Sequence, residues 1–415
     1  MALHRRNLLT LGLGALTATL VRPVATAAAA RAIAPAKGGR ARACILLFMH
    51  GGMSQIDTFD PKPGRPTGGE FSPIRTSLTG VRVSEHLPGL AKRLNKTTLI
   101  RSLTSREGNH TRARHLMHTG YAPQGGARPP ALGSWVAESR QSGDLPGYVA
   151  IDAPGQGPGF LGASRAPFVV RNAARPVRNM TPSRPISTDR QRNRTEMWRA
   201  LQSDFGRAHP STQVEGHDDV VEQALAMMSS SATAAFDLTR EPQRVHDRYG
   251  ESRFAQGCLM ARRLVEVGVP FVEVGLQGWD THDNNFERVR YLSGELDRGM
   301  SALLDDLEGS GLLDETLVLC VGDFGRTPRI NGRGGRDHFP AAASMLMAGG
   351  GTQTGQVIGA TDADGYEITE QPVSVPDLMR TAAVAMGLDP NETRMTAAGR
   401  PLSMVDGGRV IDGVL

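Results

Sequence analysis

The run Ala43-Cys44-Ile45-Leu46-Leu47-Phe48-Met49 is apolar at every position and stops at His50-Gly51-Gly52. A strand with one wet face alternates polar and apolar residues. A run without alternation is therefore a strand covered on both faces, the condition of a central strand in a parallel sheet. The glycines allow a tight turn out of it, and the ends of such strands are where ligands commonly bind.

Shorter apolar runs recur at 98–100, 148–151, 271–276, 316–321 and 344–347, with helical patterns between them. This alternation predicts an α/β fold, a mostly parallel sheet with helices on both faces. The clearest helices are expected at 253–267, stopped by Gly268, at 286–307, and at 376–386, which opens on a proline and is stopped by Gly387. Arginines punctuate a Pro- and Ser-rich stretch at 171–199 that has no apolar period. It reads as a solvated surface loop or insertion, in preference to an anion-binding lid.

The first residues have a different character. His4-Arg5-Arg6-Asn7 precedes a weakly apolar run to Val21 and then Ala25-Thr26-Ala27, the order of a secretory signal. The run is short of the roughly 20 apolar residues of a membrane span, so no stable span is expected. Consecutive arginines resemble the twin-arginine signal, with Leu8 and Thr10 where that motif usually has Phe and Lys. Residues 1–27 are read as this signal, which makes the twin-arginine translocon a partner during export and the destination periplasmic or extracellular. Residues 28–42, rich in Ala, Gly, Pro and Arg, read as a disordered leader, and the fold is expected from Ala43 to the end, residues 43–415, as one domain.

Charge narrows the partners. The chain carries +5, and Arg5, Arg6 and Arg22 leave with the signal while no acidic residue does, so the mature charge falls to +2. That balance argues against a nucleic-acid partner. Cys44, Cys258 and Cys320 are odd in number and lack metal spacing, so they read as small core residues.

Chemistry-bearing residues cluster after the apolar runs. The run ending at Leu276 leads into Gln277-Gly278-Trp279-Asp280-Thr281-His282-Asp283, a loop between a strand and a helix where oxygen and imidazole ligands can converge. The run ending at Val321 leads into Gly322-Asp323-Phe324-Gly325-Arg326, and Gly335-Arg336-Asp337-His338 follows. Such Asp and His residues suit zinc, manganese, magnesium or calcium, and Arg326 or Arg336 suits a tetrahedral oxyanion.

The strings HGGMSQIDTFDPKPG, ARRLVEVGVPFVEV, GWDTHDNN, DFGRTPRINGRGGRDHFP and GATDADG resemble the sulfatase-like family called domain of unknown function 1501, over almost all of the mature chain. That family is placed in the alkaline-phosphatase and sulfatase superfamily. The resemblance implies an alkaline-phosphatase-like fold, a mostly parallel mixed sheet sandwiched between helices, with one or two metals at the strand ends. It gives Asp280 and His282 to a first metal and makes His338 the final metal histidine. Asp323 matches the Asp of an Asp-His pair whose His is Phe324 here. His50 stands where the superfamily has a metal-binding Asp at the end of its first strand, and Asp57 is the nearest carboxylate. Counting back from Thr119-Gly120, the nucleophile position falls on His110, beside Thr111, with Arg114 near the arginine that follows the sulfatase cysteine; His110 there could be a metal ligand, a general acid or base, or itself a nucleophile. Ser54 is the rival nucleophile.

The implied function is an exported, metal-dependent hydrolase of phosphate or sulfate esters, small or polymeric, with zinc as the first choice of ion. The alternative is a protein that kept the fold and lost catalysis, serving in binding or surface assembly.

Overall fold

A computed structural model describes residues 40–415 except 124, 125, 127, 141, 179, 181–186 and 397. The residues read as a signal, and most of those read as leader, lie outside the described residues. Ala41 and Arg42 were expected in the leader but belong to the fold. Ala41 is buried, its N–H donating to Ala385 O at 3.2 Å, and Arg42 N–H donates to Glu315 O at 2.6 Å.

The main sheet is built from β1 (Ala43–His50), β2 (Thr97–Thr104), β3 (Tyr148–Ile151), β4 (Phe168–Val170), β5 (Phe271–Gln277), β6 (Thr316–Gly322), β7 (Ala343–Ala348), β8 (Gln356–Ile358) and β9 (Val373–Ser374). Their order is β8-β2-β7-β6-β1-β5-β3-β4, with β9 also beside β2. Among these strands β7 alone runs antiparallel to its neighbours. The run that opens the chain's fold is thus a central strand, between β5 and β6.

Its continuous apolarity has a direct cause. Ile45, Leu47 and Met49 point into one core with Val272, Val274 and Leu276 of β5, while Cys44, Leu46 and Phe48 point into the other. The first core is closed by α5 (Arg253–Glu266) and α6 (Asn285–Gly309), and the second by α1 (His110–Thr119), α2 (Leu132–Ser139) and α7 (Val375–Ala385). Each fully buried Leu, Ile or Phe contributes roughly 1.5–3 kcal/mol of transfer free energy, so polar substitution on either side of β1 costs a core contact. The α7 start carries a capping box in which Ser374 and Asp377 satisfy each other's backbone N–H groups. The three cysteines are buried and unpaired.

The arginine-rich stretch departs from expectation. From Thr188 onward it is helix, α3 (Thr188–Ala208), followed by α4 (Thr212–Ser229). Ser187 caps α3 by accepting from Arg190 N–H at 3.3 Å. The helix is mostly exposed and held by ion pairs such as Arg192–Asp189 and Arg199–Glu222, so its first turns show no buried apolar stripe. No helix among the described residues is long and apolar enough to cross a membrane.

Candidate metal centre

The carboxyl ends of β5, β1 and β6 lie side by side, and the loops leaving them form the site. β1 exits through Gly51 at φ +106°, where a Cβ would sit 2.4 Å from Asp280 N, so only glycine lets the β1 and β5 loops touch. Gly51 N–H donates to Asp323 Oδ2 at 3.1 Å, tying the β6 loop to the same point.

Four side chains from distant segments meet here. Asp280 Oδ1 lies 3.3 Å from His110 Nε2, 3.2 Å from His282 Nε2 and 3.4 Å from His338 Nε2. The ligand atoms of His110, Asp280 and His338 all fall within 4.8 Å of one another. His282 Nε2 and His338 Nε2 are 3.0 Å apart. His110 opens α1, whose N-cap Asn109 accepts from Thr111 and Arg112 N–H. His338 is delivered by a two-residue bridge in which it pairs with Arg326.

The other ring nitrogens are all committed. His110 Nδ1 faces Asp323 Oδ2 at 2.7 Å, His282 Nδ1 faces Asp337 Oδ1 at 2.7 Å, and His338 Nδ1 faces Gly108 O at 2.7 Å. A carbonyl or carboxylate accepts, so each Nδ1 carries a proton, and in its neutral form each ring turns a bare Nε2 to the centre. His110 Nε2 is buried without a hydrogen-bond partner. Bare imidazole nitrogens backed by carboxylates or a carbonyl around one carboxylate form a donor set that could hold a divalent metal, and nitrogen-rich sets of this kind suit zinc.

Electrostatics follow the same geometry. Burial pushes the Asp280 carboxyl up, but the Arg326 guanidinium 2.5 Å away, with His110 and His282, outweighs it and holds the group at about 2. Burial likewise pulls His110 down, and Asp323 and Asp280 more than reverse this, so its pKa is raised. His338 is lowered, first by burial. Asp280 therefore stays ionised, and His338 favours its neutral form.

Below the centre, α1 turns His110, Arg114 and His118 toward the sheet at four-residue spacing. His118 Nε2 meets Glu273 Oε1 at 3.1 Å while its Nδ1 donates to Arg114 O at 2.8 Å. Tyr148 OH donates to Glu273 Oε2 at 2.5 Å. Burial opposes both charges, yet mutual attraction raises His118 and lowers Glu273, a buried ion pair. His50, 6% exposed at the end of β1, is pulled down to about 4 by burial, and its Nε2 has no partner.

The structure thus brings together Asp280, His282, His338 and His110, with Asp323 behind His110. His110 sits among the candidate metal donors, one of the roles the sequence left open at the nucleophile's position. Arg326 is fully buried and binds Asp280, Gly52 O and Arg336 O, so it braces the loops and leaves an oxyanion little access. Arg114 forms no ion pair or side-chain hydrogen bond among the described residues, and its charge weighs on His50. Thr111 is exposed on the outer side of α1.

Ser54 and Asp57 lie apart from the centre. Ser54 Oγ donates to Asp57 Oδ2 at 2.6 Å, and Asp57 also accepts from Asn285 Nδ2 at 2.8 Å and from Arg336 Nε at 2.7 Å and Nη2 at 2.9 Å. Asp57 and Arg336 are both fully buried. Both carboxylate oxygens are engaged in this clamp, three of its four bonds falling on Oδ2, so Asp57 is a counter-ion to Arg336 and Ser54 a donor to it. Asp337, read in the sequence beside His338 as a candidate ligand type, instead orients His282, and Gly108 O, which orients His338, escaped the sequence reading because a backbone carbonyl leaves no sequence signal.

The family described as protein of unknown function (DUF1501) matches residues 41–415. No curated protein matches the chain. Solved structures similar to it include the lipoteichoic acid synthase LtaP from Listeria monocytogenes, at 9% identity over 93% of this chain and 80% of that one, TM-score 0.42. The PsFucS1 sulfatase from Pseudoalteromonas sp. is 14% identical over 85% of this chain and 69% of that one, TM-score 0.39. A protein in the alkaline phosphatase superfamily from Vibrio parahaemolyticus is 10% identical over 86% and 69%, TM-score 0.36.

Proposed function

The chain belongs to the DUF1501 family of proteins of unknown function, whose match spans residues 41–415, and we propose that it is a divalent-metal-dependent hydrolase of phosphate or sulfate esters. The observation that carries this reading is the convergence of three bare imidazole nitrogens on Asp280 Oδ1, within 3.2–3.4 Å of it. Uncharged lone pairs facing one another at 3.0 Å, as in His282 and His338, repel unless a cation or proton lies between them.

His110, Asp280, His282 and His338 would hold the ion, zinc being the first choice. Bound there, it would supply Lewis acidity toward an ester oxygen. Asp323 holds His110 in its ligand tautomer, and Asp337 does so for His282. Arg114, free of any carboxylate among the described residues, supplies positive charge for the transferred group. Since Ser54 is locked to Asp57 and Thr111 faces outward, the attacking group is water and the reaction is a direct hydrolysis. The ester oxygen–phosphorus or –sulfur bond breaks as water's oxygen forms its own, and a proton from that water passes to the departing oxygen, giving the alcohol and free phosphate or sulfate.

The burial of Ser54 and the outward Thr111 also favour a second reading, a binding protein without catalysis. Elemental analysis of the purified protein, with a screen of phosphate mono- and diesters and sulfate esters, separates the two. Metal with turnover supports hydrolysis, metal without turnover supports binding, and a metal-free, inactive protein removes the centre itself. Export by the twin-arginine route to the periplasm or beyond is proposed from the sequence of residues 1–27. A reporter carrying residues 1–42 should leave the cytoplasm only while the twin-arginine translocon is intact, and should stay inside when Arg5 and Arg6 are both changed to Lys.

A further inference from the structure

Glu273 is a carboxylate in the middle of β5, and it is fully buried. Val272, Val274 and Leu276 fill the first core, so alternation turns Glu273 to the other face of the sheet, against α1. A charge in that place is costly unless every lone pair finds a donor. Oε2 accepts from Tyr148 OH at 2.5 Å on the neighbouring strand β3, and Oε1 faces His118 Nε2 at 3.1 Å on α1. His118 Nδ1 donates to Arg114 O at 2.8 Å, so the ring faces an acceptor at both nitrogens and cannot turn without losing one.

The rest of α1 is held less sharply. Among the described residues, His118 to Glu273 is the one hydrogen bond from an α1 side chain to a strand of the sheet. His110 meets Asp280 and Asp323 in the loops, Arg112 pairs with Glu107 just before the helix, and His115 lies 3.4 Å from Gln156 in the loop after β3. The apolar face closes over a cavity of about 10 Å³, lined by Met117 and His118 of α1 and by Met379 of α7. Methionine adapts to such gaps, so this face does not hold a helix to the roughly 0.5 Å that a functional site needs.

We propose that the Glu273–His118 pair positions the metal centre by fixing α1 on β5, so that His110 Nε2 comes within reach of Asp280 Oδ1. His110 stands eight residues before His118, roughly 12 Å along the helix axis. Gln277, the last residue of β5, stands four residues after Glu273, roughly 13 Å along the strand. Helix and strand thus cover the same distance from the pair to the site, and the start of α1 lies over the loop that carries Asp280. Tyr148 holds the carboxylate from the adjacent strand, which makes the anchor rigid. Both members are positioning residues and neither is a ligand; their role rests on the metal centre proposed above.

Replacing the network whole separates position from stability, because a buried ion pair exchanged for apolar residues of like volume often leaves stability unchanged or raised. Cobalt(II) added to the chelator-treated full chain is the probe, with affinity read by titration and the ligand set by the visible spectrum. The triple variant Glu273→Met, His118→Leu, Tyr148→Phe should melt near the parent temperature yet bind cobalt about 10- to 100-fold more weakly, with a changed spectrum as His110 leaves the ion. Glu273→Gln should rescue affinity, since its amide donates to a neutral His118 and its carbonyl accepts from Tyr148. Parent-like affinity in a folded triple variant would overturn the proposal. A triple variant that unfolds would also overturn it, because the network would then serve stability. So would a loss in Glu273→Gln as large as the triple variant's, because charge and not position would then matter. A parent chain that takes up no cobalt removes the metal centre itself, and the positioning role with it.

Discussion

His282 Nε2 and His338 Nε2 face each other at 3.0 Å, each ring holding its own proton on the far nitrogen. While both rings are neutral, neither can donate to the other without giving up its bond to Asp337 or Gly108. A proton or a metal cation between them removes the conflict.

His338→Ala should therefore lower divalent-metal affinity by roughly 100-fold or more, and Asp337→Asn by roughly 10- to 100-fold through loss of the orienting bond to His282. Titration calorimetry with zinc on chelator-treated protein checks both. Parent-like affinity in His338→Ala would remove that residue from the centre.

Asp57 separates a clamp from a ligand. Asp57→Asn leaves Arg336 buried without a counter-charge and should cost about 3–5 kcal/mol of stability while metal content stays at the parent level. Urea unfolding with elemental analysis reads the two together, and loss of metal from a protein that remains folded would restore Asp57 to the site.

His50 sets an acid limit. Its pKa is pulled from 6.5 to about 4 in the fold, so the unfolded chain takes up the proton first as pH falls. Stability from this residue is present above pH 6.5 and drains away between there and about pH 4, by up to about 3 kcal/mol. In metal-free protein His50→Gln should flatten that part of the stability profile, and an unchanged slope would count against the burial of a neutral ring.

The His118–Glu273 pair behaves differently because its two groups shift in opposite directions. The raised His118 stabilises below its unfolded value of 6.5 and loses that contribution as pH climbs through its folded value. The lowered Glu273 stabilises above 4.5 and loses its contribution as pH falls through its folded value. The stability gap between the parent and Glu273→Gln should be widest at about pH 5–6, where both contributions are present. Thermal melts from pH 4 to 9 would reveal a gap that does not vary if the pair is uncharged.

The six apolar runs were legible because a strand buried on both faces must be apolar at successive positions, which is a local property. β1, β3, β5 and β6 begin where those runs begin, and α5, α6 and α7 lie within a residue or two of their periodic patterns. The α3 helix was not legible in 171–199, since its apolar stripe begins only at Met197 and its first turns are held by exposed ion pairs.

Asp280 and His282 were readable as candidates because they share a loop after a buried strand. Asp57 was equally readable and belongs elsewhere, because Arg336, 279 residues away, claims its oxygens. His110 lies 213 residues from Asp323 and joins the donors only because α1 packs across the ends of β1, β5 and β6. Local sequence determines which residues are able to carry charge or bind an ion. Which of them share one point in space is decided by strand order and by the long-range bonds that consume every other lone pair, since coordination acts over a few ångströms and chain neighbourhood does not.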